Sequence, residues 1–205
     1  MKKNKIIILS VSFLFLIILS LYFDSEIVNI ISLIRNNFLN DFFLGITSIS
    51  STIIIFFFLT SLFLWREHKR KWILPLWFTL GLSVLVSFVL KITMQRPRPF
   101  QLGIVSILPI LEKASHNIWN FSFPSFHSML IFCALPILSK QFKKFKYFWI
   151  VFAGLVAFSR VYFGLHFLSD AIVGGVIGFL LGIVVIKIEK QNNFFEKIYK
   201  KVFRK

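Results

Sequence analysis

The chain has 205 residues, 57% of them hydrophobic and 16% charged, whereas soluble domains carry roughly 45–50% apolar and about 25% charged residues; that balance excludes an ordinary water-soluble domain. The formal net charge of +16 raises nucleic acid as a partner, but the basic residues stand in short blocks beside long apolar runs instead of covering a folded polar domain, which points to a lipid bilayer and not to nucleic acid. Cys133 is the single cysteine, so neither an internal disulfide nor a cysteine-based metal motif is available.

A hydrocarbon core of about 30 Å takes about 20 apolar residues to cross as a helix. Taken in chain order, the candidate spans are Ile6–Phe23, Phe42–Trp65, Trp72–Thr93, Phe126–Ser139, Tyr147–Phe163 and Leu168–Ile186. The fourth run is short for a full crossing and has room to lengthen at either end. Ile6–Phe23 lacks a small-x-small cleavage site ahead of Asp24, so it reads as an uncleaved first span and not as a signal peptide. With no internal repeat, linker or low-complexity stretch, the expected architecture is all-α: one membrane-embedded domain, residues 1–205, built as a polytopic bundle of six transmembrane helices.

Orientation follows from the distribution of Lys and Arg, because basic residues are retained on the cytoplasmic side. Lys2, Lys3 and Lys5, then Arg66, Lys69, Arg70 and Lys71, then Lys140, Lys143, Lys144 and Lys146, and finally seven in the tail from Lys187 to Lys205 all fall on one side. Arg35, Lys91, Arg96, Arg98, Lys113 and Arg160 are the rest of the 24. Both termini are therefore expected in the cytoplasm of a multi-pass cell-membrane protein, with Asp24–Asp41, Met94–Ser125 and Gly164–Phe167 facing outward. The tail from Glu189 to Lys205, with aromatic residues among lysines, suits a helix lying on anionic lipid.

Lys91, Arg160 and Asp170 are set inside or at the rim of apolar runs, where a charge costs at least about 2.5–3.5 kcal/mol on insertion scales and so pairs or serves a function. They fall toward the outer ends of their spans, as do Arg98, His127 and His166. His166 and Asp170 are four residues apart, so a helix beginning near Gly164 lets the carboxylate reach the imidazole across one turn. Such a bond would fix a tautomer and leave the other ring nitrogen free as a nucleophile; a helix-capping pair is the alternative. A phosphoryl group needs donors for three equatorial oxygens. Arg98 and Arg160 offer bidentate forks and Lys91 a point charge. The Pro124-Ser125-Phe126 start of the fourth span aims backbone N–H groups at an anion. His127, at the same helix start, is placed to give a proton to a departing oxygen.

The order and spacing of these residues resemble the type 2 phosphatidic acid phosphatase (PAP2) superfamily. Lys91 through Arg98-Pro99 is similar to its lysine, six residues, Arg-Pro motif; Pro124-Ser125-Phe126-His127 resembles Pro-Ser-Gly-His; and Ser159-Arg160, five residues, His166, three residues, Asp170 matches the third. The resemblance spans about Trp72 to Ile186 and implies hydrolysis of a lipid phosphate or diphosphate, with neither metal nor other cofactor, at the outer membrane face. It implies that His166 attacks phosphorus, Asp170 orients it and His127 protonates the leaving group, followed by hydrolysis of a phosphohistidine. It further assigns phosphate binding to Lys91, Arg98, Ser125, the Phe126 amide and Arg160. Polyprenyl diphosphate, phosphatidic acid and phosphatidylglycerol phosphate all suit that reading; the oligomeric state is left open.

Phe126 departs from the family pattern, which has Gly there, a residue that permits close backbone approach. Phe keeps the amide donor provided that the residue is helical and its ring points away from the phosphate. The departure raises two possibilities, a modified substrate pocket or an enzyme with weakened activity; the alternative functions are a lipid-phosphate-binding or transport-related protein that lost turnover through Phe126, and a lipid phosphotransferase. Gly174-Gly175-Val-Ile-Gly178 has small-xxx-small spacing suited to close helix packing. Arg96-Pro97 is a second Arg-Pro dipeptide, too near Lys91 for the motif, and His116 and Trp119 are candidates for lining the entrance.

Overall fold

The computed structural model describes residues 18–113 and 120–203. Most of the expected first span, the entrance candidates His116 and Trp119, the amino-terminal lysines and Arg204 and Lys205 lie outside the described residues. Within them the chain is helical and contains no strand. Residues 18–22 are helical and lead into α1 (Asp24–Leu33), α2 (Asn37–Ile49), α3 (Thr52–Leu64), a 3-10 turn (Glu67–Trp72) and α4 (Ile73–Met94). The short α5 (Pro109–Lys113) lies in the central loop, followed by α6 (Phe126–Gln141), α7 (Phe145–Tyr162), α8 (Leu168–Asn192) and α9 (Phe194–Phe203).

Among the described residues, three helical stretches are long and apolar enough to cross a membrane: Glu67–Met94, Phe145–Tyr162 and Leu168–Asn192. The run expected to form one second span, Phe42–Trp65, is broken instead. α2 and α3 meet the length requirement only as a pair, bent by 61°. The bend falls at two serines: Ser50 ends α2, its Oγ donating back to the Thr47 carbonyl at 2.8 Å, and Ser51 is the N-cap of α3, its Oγ accepting the Ile54 amide. α1 also occupies part of what the sequence marks as the outer loop Asp24–Asp41.

α6 sits at the centre. Met129, Ile131, Cys133, Ala134, Ile137 and Leu138 have no exposed surface, and residues of α3, α4 and α7 pack around them. On the periphery, Ile53, Phe57, Leu85, Phe148 and Val151 are exposed, the inside-out polarity of helices whose outer faces meet lipid. α8 lies against α6 along Gly174, Gly178 and Gly182. A Cβ at these positions would stand 2.6 Å from the Ser125 carbonyl oxygen, 2.2 Å from that of Met129 and 2.4 Å from that of Cys133. Small residues allow such backbone approach, and here the approach brings the first turns of the two helices together.

Overpacking a tight contact costs about 1–3 kcal/mol. Gly178→Ala is therefore expected to lower the thermal unfolding midpoint in detergent by several degrees. Gly81→Ala, where nothing lies within 4 Å of the added atom, should leave it unchanged or slightly raised; equal midpoints for both variants would contradict this account of the α6–α8 contact.

Candidate active site

The site residues come from helix ends and from the loops that join them. Lys91 lies in the last turn of α4, only 6% exposed, and its ammonium donates to the Phe121 carbonyl. Gln95 ends α4 in the left-handed conformation, φ 45°, which turns the chain so that Arg96 and Arg98 return toward the bundle. Arg98 Nε donates to the Asn120 carbonyl at 3.2 Å and a terminal nitrogen donates to the Leu165 carbonyl at 3.1 Å. The guanidinium thus ties the central loop to the turn that carries His166.

Ser125 is the N-cap of α6, fully buried, and no side chain caps that helix. Its amide donates to the Asp170 carbonyl at 3.0 Å, and its hydroxyl accepts from Ser128 Oγ at 3.1 Å. Phe126 is the first helical residue, one of the two conditions for its amide to remain a donor, and its half-buried ring packs against the central apolar cluster. The Phe126 and His127 rings meet edge to face, centroids 5.7 Å apart.

Arg160 occupies the last turn of α7. Its carbonyl accepts the amides of Leu165 at 3.0 Å and His166 at 3.2 Å, folding the chain back across Gly164, φ 68°. A side chain at Gly164 would meet Val105 Cγ2 at 2.3 Å, so this turn requires glycine for both space and angle. The Arg160 guanidinium reaches Ser50 Oγ at 3.5 Å, while its buried Nε has no hydrogen-bond partner among the described residues. Buried donors are almost always satisfied, so this one is available to an anion.

The expected contact between His166 and Asp170 takes a different form. Nδ1 stands 3.9 Å from Asp170 Oδ2, too far for a hydrogen bond, and 2.6 Å from the Ser122 carbonyl oxygen, to which it donates. Ser122 also donates through its hydroxyl to Asp170 Oδ2. Asp170 Oδ2 accepts the Phe167 amide at 2.9 Å, and Oδ1 accepts from Arg96 at 2.7 Å. The carboxylate therefore acts on the imidazole through one serine, and the tautomer that results, with hydrogen on Nδ1, leaves Nε2 as the lone-pair nitrogen.

His166 lies in the turn between α7 and α8, 3% exposed. Burial, followed by the charges of Arg98, Lys91 and Arg160 and by His127, holds its pKa well below the ordinary histidine value, so the ring is neutral at neutral pH. Burial lowers that of Arg98, in the loop, to about 10, which leaves it cationic. The structure thus gathers Lys91, Arg98, Arg160 and His127 around a neutral His166, with Ser125 and Asp170 joined by a backbone bond. Such a collection of cations around a neutral, uncharged imidazole suits a multiply charged anion.

Three residues escaped sequence reasoning. Ser122 and Ser169 carry no signal beyond their type, and Asp24 stood among loop acids. Arg96 was visible as a second Arg-Pro dipeptide with the wrong spacing for the motif; its partner, buried Asp170, could have been sought on the ground that an interior carboxylate needs a cation.

The PAP2 superfamily pattern matches residues 72–194, more than half of the chain, and the chain belongs to that superfamily. It is 32% identical over 190 residues to phosphatidylglycerophosphatase B of Bacillus subtilis, covering 85% of this chain and 84% of that protein. It is 28% identical over 134 residues to an undecaprenyl-diphosphatase of Sulfolobus acidocaldarius, 65% of this chain and 63% of that one. Among solved structures, the transmembrane PAP2-type phosphatidylglycerolphosphate phosphatase from Bacillus subtilis superposes with a TM-score of 0.69 at 27% identity, over 89% of this chain and 96% of that one. The chain is accordingly a PAP2-type membrane phosphatase, acting within a family of lipid phosphatases.

Hydrogen bonds to charged groups contribute about 1.5–3 kcal/mol. Ser122→Ala, which removes the hydroxyl on Asp170 and keeps the carbonyl on His166, is expected to lower kcat by about tenfold or more at unchanged KM, measured by phosphate release from a lipid phosphate.

Proposed function

We propose that the chain hydrolyses phosphatidylglycerol phosphate or a closely related lipid phosphate through a phosphohistidine on His166. The observation that carries this reading is a neutral imidazole whose Nδ1 is held by the Ser122 carbonyl amid three cations, two of them, Lys91 and Arg160, buried, and Arg160 with a nitrogen that has no partner among the described residues. Nε2 attacks phosphorus; the bond from phosphorus to the lipid oxygen breaks, and that oxygen leaves with a proton from His127. Lys91, Arg98, Arg160, Ser125 and the Phe126 amide hold the equatorial oxygens, where negative charge accumulates. His127, now able to take a proton, activates a water that cleaves the phosphorus–nitrogen bond, releasing inorganic phosphate and restoring His166. Asp170 stabilises the imidazolium through Ser122. The substrate follows the relative named phosphatidylglycerophosphatase B and the structural neighbour of the same activity; the relative named undecaprenyl-diphosphatase makes a polyprenyl diphosphate the second substrate to assay.

The arrangement in the membrane belongs to the same proposal. Six spans, counting Ile6–Phe23 and the short, central α6, put both termini and the basic turn at Glu67–Trp72 in the cytoplasm and leave the site on the extracytoplasmic face, as the Lys and Arg distribution requires. Leu102 and Trp65 are both exposed, on opposite sides in this topology. Leu102→Cys should react with a membrane-impermeant maleimide in intact cells and Trp65→Cys only after permeabilisation; the reverse pattern would invert the orientation.

Catalysis itself is tested by phosphate release from a panel of lipid mono- and diphosphates in EDTA. Wild type is expected to act best on phosphatidylglycerol phosphate, and His166→Ala to lose at least about a thousandfold, as a removed nucleophile does. Silence of wild type on every lipid, relieved only by Phe126→Gly, would make the chain a lipid-phosphate binder instead.

A further inference from the structure

Asp24 opens α1, outside all three sequence motifs, and is 2% exposed. Its carboxylate accepts the Ser169 amide at 3.0 Å and the Ser169 hydroxyl. It also accepts one terminal nitrogen of Arg96 at 2.8 Å. The other terminal nitrogen of Arg96 donates to Asp170 Oδ1 at 2.7 Å and to Ser169 Oγ at 2.8 Å. The Arg96 carbonyl accepts the Ser122 amide at 2.7 Å, and its guanidinium lies 4.1 Å over the ring of Phe167, the neighbour of His166. One residue therefore grips Ser122 through its main chain and Asp170 through its side chain, and these are the two groups that set Nδ1 of His166.

The charges divide the arginines of the central loop into two kinds. Arg98 gives Nε and one terminal nitrogen to neutral carbonyls, which leave its charge for a ligand. Both terminal nitrogens of Arg96 are committed to carboxyl groups, so its charge is taken up by Asp24 and Asp170 and is not offered to phosphate. A fork with two fixed ends also locates Asp170 more narrowly than an ammonium could.

We infer that Arg96, anchored by Asp24, is a positioning residue that holds Ser122 and Asp170 so that Nε2 of His166 faces phosphorus, and that it does not bind the phosphate. The inference rests on His166 being the nucleophile of the proposed reaction. Its effect belongs to kcat, because the cations that bind the substrate are untouched.

The test uses the full-length chain in detergent with the lipid phosphate that wild type hydrolyses, comparing Arg96→Lys, Asp24→Asn and the double variant, each checked for a cooperative thermal transition. Arg96→Lys is expected to lower kcat by about tenfold or more, with KM and the inhibition constant of inorganic phosphate within about twofold. Asp24→Asn should do the same more weakly, and the double variant should be no slower than Arg96→Lys, because both changes act on one linkage. A raised KM or weakened phosphate inhibition with kcat kept would make Arg96 a substrate-binding residue and overturn the inference, as would an unchanged kcat or additive losses. Should Arg96→Lys not fold, Asp24→Asn carries the same criteria. If wild type hydrolyses no lipid, the proposed function fails first. The positioning claim is then decided by the 15N spectrum of His166: a protonated Nδ1 in wild type giving way to mixed tautomers in Asp24→Asn supports it, and an unchanged spectrum overturns it.

Discussion

The carboxylate of Asp170 is fully buried, and an interior carboxylate is tolerated only with a cation and a full set of donors. Its donors come from three separate stretches of chain: Arg96 after α4, Ser122 ahead of α6, and the Phe167 amide at the start of α8. Its own carbonyl takes the Ser125 amide. Satisfying one buried charge thus fixes the relative positions of the central loop, the start of α6 and the histidine turn.

That convergence depends on helices approaching more closely than ordinary side chains allow. The glycines of α8 remove the Cβ atoms that would strike the backbone of α6, and the bond from Ser125 to Asp170 is then possible at 3.0 Å. The same face of α8 therefore serves packing and chemistry. At the opposite end, buried Glu189 accepts the Phe195 and Glu196 amides that open α9, so this end of α8 too is closed by an acid that satisfies backbone donors. Glu196 of α9 is held below the usual carboxylate range by hydrogen bonds from Lys71 and Lys200; the bond from Lys71 ties the tail helix to the basic turn before α4.

Around this frame the family membership and the local geometry agree on the type of chemistry. Lipid phosphatases of the superfamily act on a charged group attached to a hydrocarbon chain, and the chain pairs a polar, cation-rich set of helix ends with an apolar exterior. An apolar groove of about 530 Å³ runs between α7 and α8 with Phe132 and Leu135 of α6 at its floor. Phe126, where the superfamily has Gly, packs a half-buried ring against the central apolar cluster, so the substitution adds packing at the start of α6.

Composition and charge order were enough to determine a helical membrane protein, because apolar length and basic flanks report directly on burial in lipid. The three motifs identified the charged groups for the same reason: ions in apolar runs are costly and stand out. The break between α2 and α3 was not legible, since a serine hydroxyl can cap a new helix, as Ser51 does at Ile54, or bond back within a continuous one, as Ser83 does to Leu80. Nor was the bond from His166 to Ser122, 44 positions apart; spacing of four between His166 and Asp170 suggested direct contact, whereas the carboxylate turns to the Arg96 guanidinium and the Ser122 hydroxyl. Local sequence determines which groups are ionised and buried, but which partner each one takes is a matter of competition among distant donors, and only the packed helices decided it.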